Sequence, residues 1–429
     1  MPQLFLHIGT EKTGSTAIQR MLGGHQKALS AQGVHYPDIE EGLLRNMLGQ
    51  AFSSTPPRKR AAGSSARHDS QAQQRALEAF AQTILQLPST VGSVIIVGEL
   101  LSRQIATQES IERFQAFLTP LFSKLNIIIY LRRQDTHFAS AYTQSLRTGN
   151  LSPPDIDRDS EAYGLYDYDA LLTRWASIFG RDAMLPRVYE RGPDRAFDVL
   201  EDFARTCHFS LPAKVSDGVR VRNPSISVAG QQVLLELGRK LQARSGREHV
   251  GGASWRRLAA SVTAASPGAG WQPTRTQAQD LVARYAVSNE AVRKSWFPER
   301  ASLFNDDFST SPEHQAEPDR EHVKNILADV VASILTEGIE REQHLLVEKA
   351  LLARELGDDA KCRSLLTEAV HADRFNAFAR AHLAKIQIAS GEMEEARINI
   401  DAALLIAPDS KLVLRMDGRW HRAAAKNDL

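Results

Sequence analysis

Leu4-Phe5-Leu6-His7-Ile8-Gly9-Thr10-Glu11-Lys12-Thr13-Gly14-Ser15-Thr16-Ala17-Ile18-Gln19-Arg20-Met21-Leu22 decides how the chain is read, because an apolar run passes through a glycine-bounded loop into a helical pattern. Leu4, Phe5, Leu6 and Ile8 are of strand type. Gly9 and Gly14 bracket a tight turn, and Ser15 or Thr16 is placed to cap a helix whose apolar positions are Ala17, Ile18, Met21 and Leu22. The first N–H groups of such a helix lack intrahelical partners and lie at the positive end of its dipole. A strand, loop and helix in this order therefore make an anion site.

The spacing Gly9-x4-Gly14 is that of the nucleotide-binding P-loop, but Ser15 stands where a lysine would follow the second glycine. The lysine lies inside the loop instead, as Lys12. In this form, Lys12-Thr13-Gly14-Ser15-Thr16, the loop resembles the 5′-phosphosulfate loop of sulfotransferases that use 3′-phosphoadenosine 5′-phosphosulfate (PAPS), which reads Lys-x-Gly-(Ser/Thr)-(Ser/Thr). The resemblance implies that Lys12 reaches the phosphosulfate. The cradle is then the loop from Thr10 to Thr16, with Thr13 and Gly14 inside it and Ser15 and Thr16 bonding the donor oxygens.

Further along, apolar strands alternate with helical patterns. Residues 91–97 read as a strand ending at Gly98-Glu99-Leu100, 125–131 as a strand ending at Arg132-Arg133, and 183–189 as a fourth. The short extended piece near Val34 and His35 runs to the sheet edge. This alternation predicts an α/β, P-loop-like three-layer fold with a central parallel sheet. Ligands of such sheets bind beyond the carboxyl ends of the strands, so Gly9, Glu99 and Arg132 should share one crevice.

Sulfuryl transfer needs a donor cradle, a cation near the bridging oxygen and a base. The 3′-phosphate of PAPS calls for an arginine and a hydroxyl. In the sulfotransferase family these lie eight residues apart, as do Arg132 and Ser140 here; Arg133 is a rival for the same role. Glu99 is the leading base, with His7 and His35 as alternatives. The resemblance extends through 33–37, the Trp175 helix and 223–225, so it covers residues 4–310. It is close to the bacterial-type branch that acts on carbohydrate or other small acceptors.

With 52 basic and 51 acidic residues the chain has no global field to recruit nucleic acid or an anionic membrane. Cys207 and Cys362 are far apart and lack metal-ligand spacing with histidines, so no metal is expected. No apolar stretch has the length of a membrane span, and a cytoplasmic protein is expected. Arg58-Lys59-Arg60, in the Ser- and Pro-rich segment 53–70, is either a solvated loop or a patch that steers the acceptor.

Residues 245–272 read as a linker or lid, and 276–294 as one helix. The acidic, Pro-containing stretch 305–319 marks a domain boundary. Beyond it, Gly357 and Gly391 repeat at the 34-residue tetratricopeptide period. The division expected is a sulfotransferase domain at 1–310, a connecting helix at 311–345 and a C-terminal α-helical, tetratricopeptide-like region at 346–429. The function expected is PAPS-dependent transfer to a hydroxyl or amine of a carbohydrate or small-molecule acceptor, with the repeats open to a protein partner. The competing readings are a P-loop kinase or NTPase, and a non-catalytic repeat-containing binding protein.

Overall fold

The computed structural model describes residues 1–37, 43–54, 66–157, 165–190, 197–212, 225–245, 250–315, 317–355, 357–373 and 376–427. Arg58-Lys59-Arg60 and residues 223–224 lie outside these. The chain forms two compact units, Met1–Ile326 and Leu327–Leu429, and the division falls within the helix Arg320–Glu355.

The first unit is built on the strands Gln3–Gly9 (β1), Val34–His35 (β2), Ser93–Val97 (β3), Leu125–Leu131 (β4) and Met184–Val188 (β5). All pair in parallel, in the order β2-β3-β1-β4-β5. The strands read as nearly continuous apolar runs because helices cover both faces of the sheet. Leu4, Leu6 and Ile8 pack on one face with Ile127, Ile129 and Leu131, under Phe114, Leu172 and Trp175. Phe5, Ile95, Ile128 and Tyr130 face the other way, against Ile18, Met21 and Leu22 of the helix Ser15–Gly24 and Phe203 of the helix Val199–Thr206. Each Leu or Ile buried this completely contributes roughly 1.5–3 kcal/mol. The result is the expected three-layer α/β arrangement, with a helical region following it.

The direction of chain crossing reverses at β1. From β1 the chain goes out to the β2 edge, returns to β3 beside β1, and only then builds β4 and β5 on the other side. The carboxyl ends of β3, β1 and β4 therefore flank the switch point, where open parallel sheets hold their ligands.

Elsewhere the structure refines the expectations. Residues 245–272 contain a helix, Ala253–Ala265, whose Trp255 is buried and donates from Nε1 to the Leu146 carbonyl at 2.8 Å. The single helix expected at 276–294 is two, Arg275–Arg284 and Ala286–Trp296. The stretch 305–319 is tied to the first unit: the Arg275 N–H donates to the Pro312 carbonyl at 2.9 Å, and Gln315 donates to the Gln272 carbonyl at 2.9 Å.

In the second unit the helices Asp359–Ala372, Ala377–Ala389, Met393–Ile406 and Lys411–Asn427 follow one another with short connections. Gly357 and Gly391 both adopt φ +80°, and each is followed two residues later by a 14-residue helix. The 34-residue spacing seen in the sequence is thus repeated in the backbone.

Candidate active site

The loop from Thr10 to Gly14 leaves the carboxyl end of β1 and is fixed by its own threonines. Thr10 is fully buried; its N–H and Oγ1 both donate to the Tyr130 carbonyl of β4, at 3.1 and 2.9 Å. Thr13, also buried, donates from Oγ1 to the Thr10 carbonyl at 2.6 Å. These hydroxyls shape the cradle from behind, and any contribution of Thr10 and Thr13 to an anion comes from the backbone they hold.

Gly9 is required where β1 meets the turn after β3. At φ +131°, a Cβ on it would lie 2.7 Å from the Glu99 carbonyl oxygen and 2.8 Å from Ser102 Oγ. That close approach brings the Lys12 loop and Glu99 together. Gly14, at φ +92°, caps the helix Ser15–Gly24 with no side-chain bond to its first N–H groups, so these remain as the dipole leaves them. Thr16 is exposed on the first turn, whereas the buried Ser15 hydroxyl donates to a Glu99 carboxylate oxygen. Ser15 therefore commits its proton to Glu99 and keeps its lone pairs and backbone N–H for another partner.

Lys12 sits at φ +63°, in the left-handed region that costs a side-chain-bearing residue roughly 1–2 kcal/mol. Arg132, the first residue past β4, holds it there by donating from a terminal guanidinium nitrogen to the Lys12 carbonyl at 2.7 Å. Arg132 Nε donates to Thr136 Oγ1 at 3.1 Å, and its guanidinium lies 5.6 Å from the Tyr189 ring centre. The Lys12 ammonium reaches Gln144 Oε1 at 3.5 Å. Burial first, and then the positive charges of Arg147 and Arg132, hold the Lys12 pKa below its ordinary value, against the opposing pull of Glu99 and Glu11. An amine crowded by cations and partly desolvated gains from an added anion.

The helix Gln134–Thr148 lines this side of the loop. Thr136, Ser140, Gln144 and Arg147 recur at helical spacing along one face, and among the described residues the Ser140 hydroxyl meets no hydrogen-bond partner. Across the loop, Glu11 pairs with Arg103 at 2.9 Å. Burial raises the Glu11 carboxyl pKa, with the Arg103 charge opposing it.

The structure separates the alternatives. Arg133 is buried and fully engaged: Nε and one terminal nitrogen meet the two Asp135 oxygens at 2.8 and 2.9 Å. Its other nitrogen donates to Asn305 Oδ1 at 2.8 Å and to the Asp307 carbonyl at 2.7 Å. Arg132, not Arg133, is therefore the arginine on the loop. His7 is fully buried between Tyr130 and Phe203, and burial lowers its pKa to about 3, so it stays neutral in the core. His35 pairs with Val94, three residues before the end of β3, away from the loop. Of the three candidate bases, Glu99 alone meets the loop through a hydrogen bond.

Gln144, Arg147 and the Glu11–Arg103 pair are the site groups the sequence reading missed. Gln144 was recoverable, standing one turn beyond Ser140 on the same helix. The Glu11–Arg103 pair carries no local signal, since it forms only when β1 and β3 lie side by side.

No protein-family model matches the chain. An uncharacterized protein of Archaeoglobus fulgidus is 29% identical over 131 residues, which is 30% of this chain and 34% of that protein. The chain thus spans about a third of the length of that curated relative. The crystal structure of a sulfotransferase from Alicyclobacillus acidocaldarius aligns with 68% of this chain and 95% of its own, at 16% identity and a TM-score of 0.34. Among the described residues, no helix is long and apolar enough to cross a membrane.

Proposed function

We propose that the chain is a PAPS-dependent sulfotransferase that moves a sulfuryl group to a hydroxyl or amine of an acceptor of carbohydrate or small-molecule type. The observation that carries this reading is Lys12, held in a left-handed conformation by Arg132 inside the loop that runs into the uncapped helix Ser15–Gly24, with its ammonium turned to Gln144. A nucleotide-hydrolysing P-loop would instead carry its lysine on the helix, after Gly14.

The residues present fit the donor. The uncapped N–H groups at Gly14 to Thr16 suit the phosphosulfate, and Arg132 with the unengaged Ser140 hydroxyl suits the 3′-phosphate. PAPS, when bound, would supply the sulfuryl group and a phosphate as leaving group. Lys12 offsets negative charge on that phosphate, and Gln144 holds the ammonium in place. Glu99 takes the proton of the incoming hydroxyl, while Ser15 fixes the carboxylate. In this reading residues 1–310 are the transferase, 311–345 the connection, and 346–429 tetratricopeptide-like repeats that add a protein-binding surface.

Thermal unfolding with ligand separates this reading from a kinase. At about a hundredfold excess over its dissociation constant, PAPS should add about 2.7 kcal/mol of stability, and ATP with magnesium should add little. Stabilisation by ATP–magnesium and none by PAPS would overturn the proposal. Glu99→Gln should lower turnover by roughly 10²–10⁴-fold while leaving PAPS affinity unchanged. Normal turnover in that variant would remove Glu99 as the base.

A further inference from the structure

The first turn of the helix Gln134–Thr148 carries four polar side chains, and three of them are bonded. Gln134 Nε2 donates to Asn289 Oδ1 at 2.8 Å, the Asp135 carboxylate takes Arg133 Nε at 2.8 Å, and Thr136 Oγ1 donates to the Arg133 carbonyl at 2.9 Å. The fourth, His137, is fully buried, and among the described residues neither of its ring nitrogens meets a hydrogen-bond partner. Its ring meets that of Tyr166 edge to face, 5.3 Å apart at 89°, which fixes the plane in which the nitrogens point. A buried donor left unpaired is costly, so its place calls for a reason.

The surroundings of this ring are those of the Lys12 loop. Thr136, beside it in the chain, accepts from Arg132 Nε at 3.1 Å, and Arg132 in turn donates to the Lys12 carbonyl at 2.7 Å. Two turns further along the helix, Gln144 meets the Lys12 ammonium. Burial, and then the charges of Arg132, Lys12 and Arg103, lower the His137 pKa to about 3, so the ring is neutral and has one N–H to give. The Glu11 backbone acts the other way, favouring the protonated ring as a carbonyl facing an imidazole does and an amide N–H cannot. The carbonyl and N–H of one peptide point in opposite directions, so a Glu11 carbonyl turned in to His137 turns the Lys12 N–H out. Among the described residues that N–H meets no hydrogen-bond partner. The left-handed φ of +63° at Lys12 is of the kind that gathers successive N–H groups into an anion-binding concavity.

We propose that His137 is a positioning residue of the donor loop: its imidazole N–H takes the Glu11 carbonyl from beneath and aims the Lys12 N–H at an oxyanion in the cradle. The inference rests on reading the loop as a phosphosulfate cradle, and it adds a residue that touches neither donor nor acceptor. An oxygen that accepts from the Lys12 N–H draws on one end of the peptide dipole and the imidazole draws on the other, so the two bonds strengthen each other. That coupling gives the buried nitrogen its partner when an anion is in place. It is the reason for keeping a polar ring where an apolar one would pack at less cost. Arg132 holds the next carbonyl, that of Lys12, at 2.7 Å, and Thr13 Oγ1 holds the one before, that of Thr10, at 2.6 Å. With His137 on Glu11, consecutive carbonyls from Thr10 to Lys12 are all fixed by side chains.

Pyrophosphate, a small anion of two linked tetrahedral groups, is the probe. Its binding to the full chain is read as protection of Lys12 from an amine-selective reagent, measured by mass spectrometry. His137→Leu should need roughly tenfold more pyrophosphate for half protection. Its melting temperature without ligand should stay at or above that of the parent, because an unpaired buried donor has been removed. His137→Gln, which keeps an N–H on a side chain of similar reach, should come within about threefold of the parent. His137→Met, apolar but adaptable, repeats the leucine measurement should branching at that site prevent folding. A histidine that only fills the core predicts the reverse, a lowered melting temperature with unchanged protection in the folded protein. That result, equal protection in the glutamine and leucine variants, or unfolding of both apolar variants would overturn the assignment. PAPS is titrated alongside: the expected His137 pattern with pyrophosphate, but no binding of PAPS, would leave this inference standing and fail the transferase reading. No protection of the parent by pyrophosphate, beside normal binding of PAPS, would do the opposite.

Discussion

Lys12→Ala is expected to lower sulfuryl transfer by roughly 10²–10³-fold or more, the loss typical when one charge-stabilising donor is removed from a preorganised site. The fold should survive. Alanine meets the same penalty as lysine at φ +63°, so the backbone gains no new strain from the change. The ammonium is pressed by Arg147 and Arg132, and its removal relieves that repulsion; Gln144 loses one contact, of 3.5 Å. Stability should therefore be unchanged or slightly improved, measured by thermal unfolding without ligand. Lys12→Arg would keep the charge but replace a compact ammonium by a planar fork, and should recover only part of the rate. Retention of full transfer by Lys12→Ala, with PAPS as donor, would remove the lysine from the chemistry and with it the reason for reading the loop as a phosphosulfate cradle.

The site was legible in the sequence where one local segment carries the whole physical reason. Leu4 to Leu22 contains a strand, its turn and its helix, and each is dictated by neighbours in the chain. The limits of β4 could likewise be read from a continuous apolar run. What the sequence left open was decided by distant partners. Arg132 and Arg133 differ by one position, and the packing of Asn305 to Phe308 against the second of them separates the buried arginine from the one on the Lys12 loop. The hydroxyls of Thr10 and Thr13 look like donors to a ligand until Tyr130, 120 residues from Thr10, is found accepting from the first. Residues 245–272 read as a linker or lid because Gly, Ser and Ala have little pattern, yet the buried Trp255 ties Ala253–Ala265 to the Leu146 carbonyl through its indole N–H.

Adjacent arginines should fail in opposite ways. Arg132→Ala removes a guanidinium from the loop and, in the proposed function, from the 3′-phosphate. PAPS affinity should fall by about 1.5–3 kcal/mol, roughly 10–150-fold, and the catalytic rate should fall as well because the Lys12 carbonyl loses its brace. Its effect on stability should be small, since the residue is only half-buried and Thr136 Oγ1 still donates to the Arg133 carbonyl at 2.9 Å. Arg133→Ala leaves the buried Asp135 without its cation and cuts the bonds to Asn305 and Asp307. Removing one partner of a buried pair costs roughly 3–5 kcal/mol, because the remaining charge is uncompensated. The chain should then unfold well below the temperature of the parent, with PAPS affinity changed only as far as the folded fraction falls. Urea unfolding gives the stability and ligand titration on the folded protein gives the affinity, so the two effects are read separately. A stable Arg133→Ala that no longer binds PAPS, beside an Arg132→Ala that binds normally, would exchange the roles and place the 3′-phosphate on the buried side of β4.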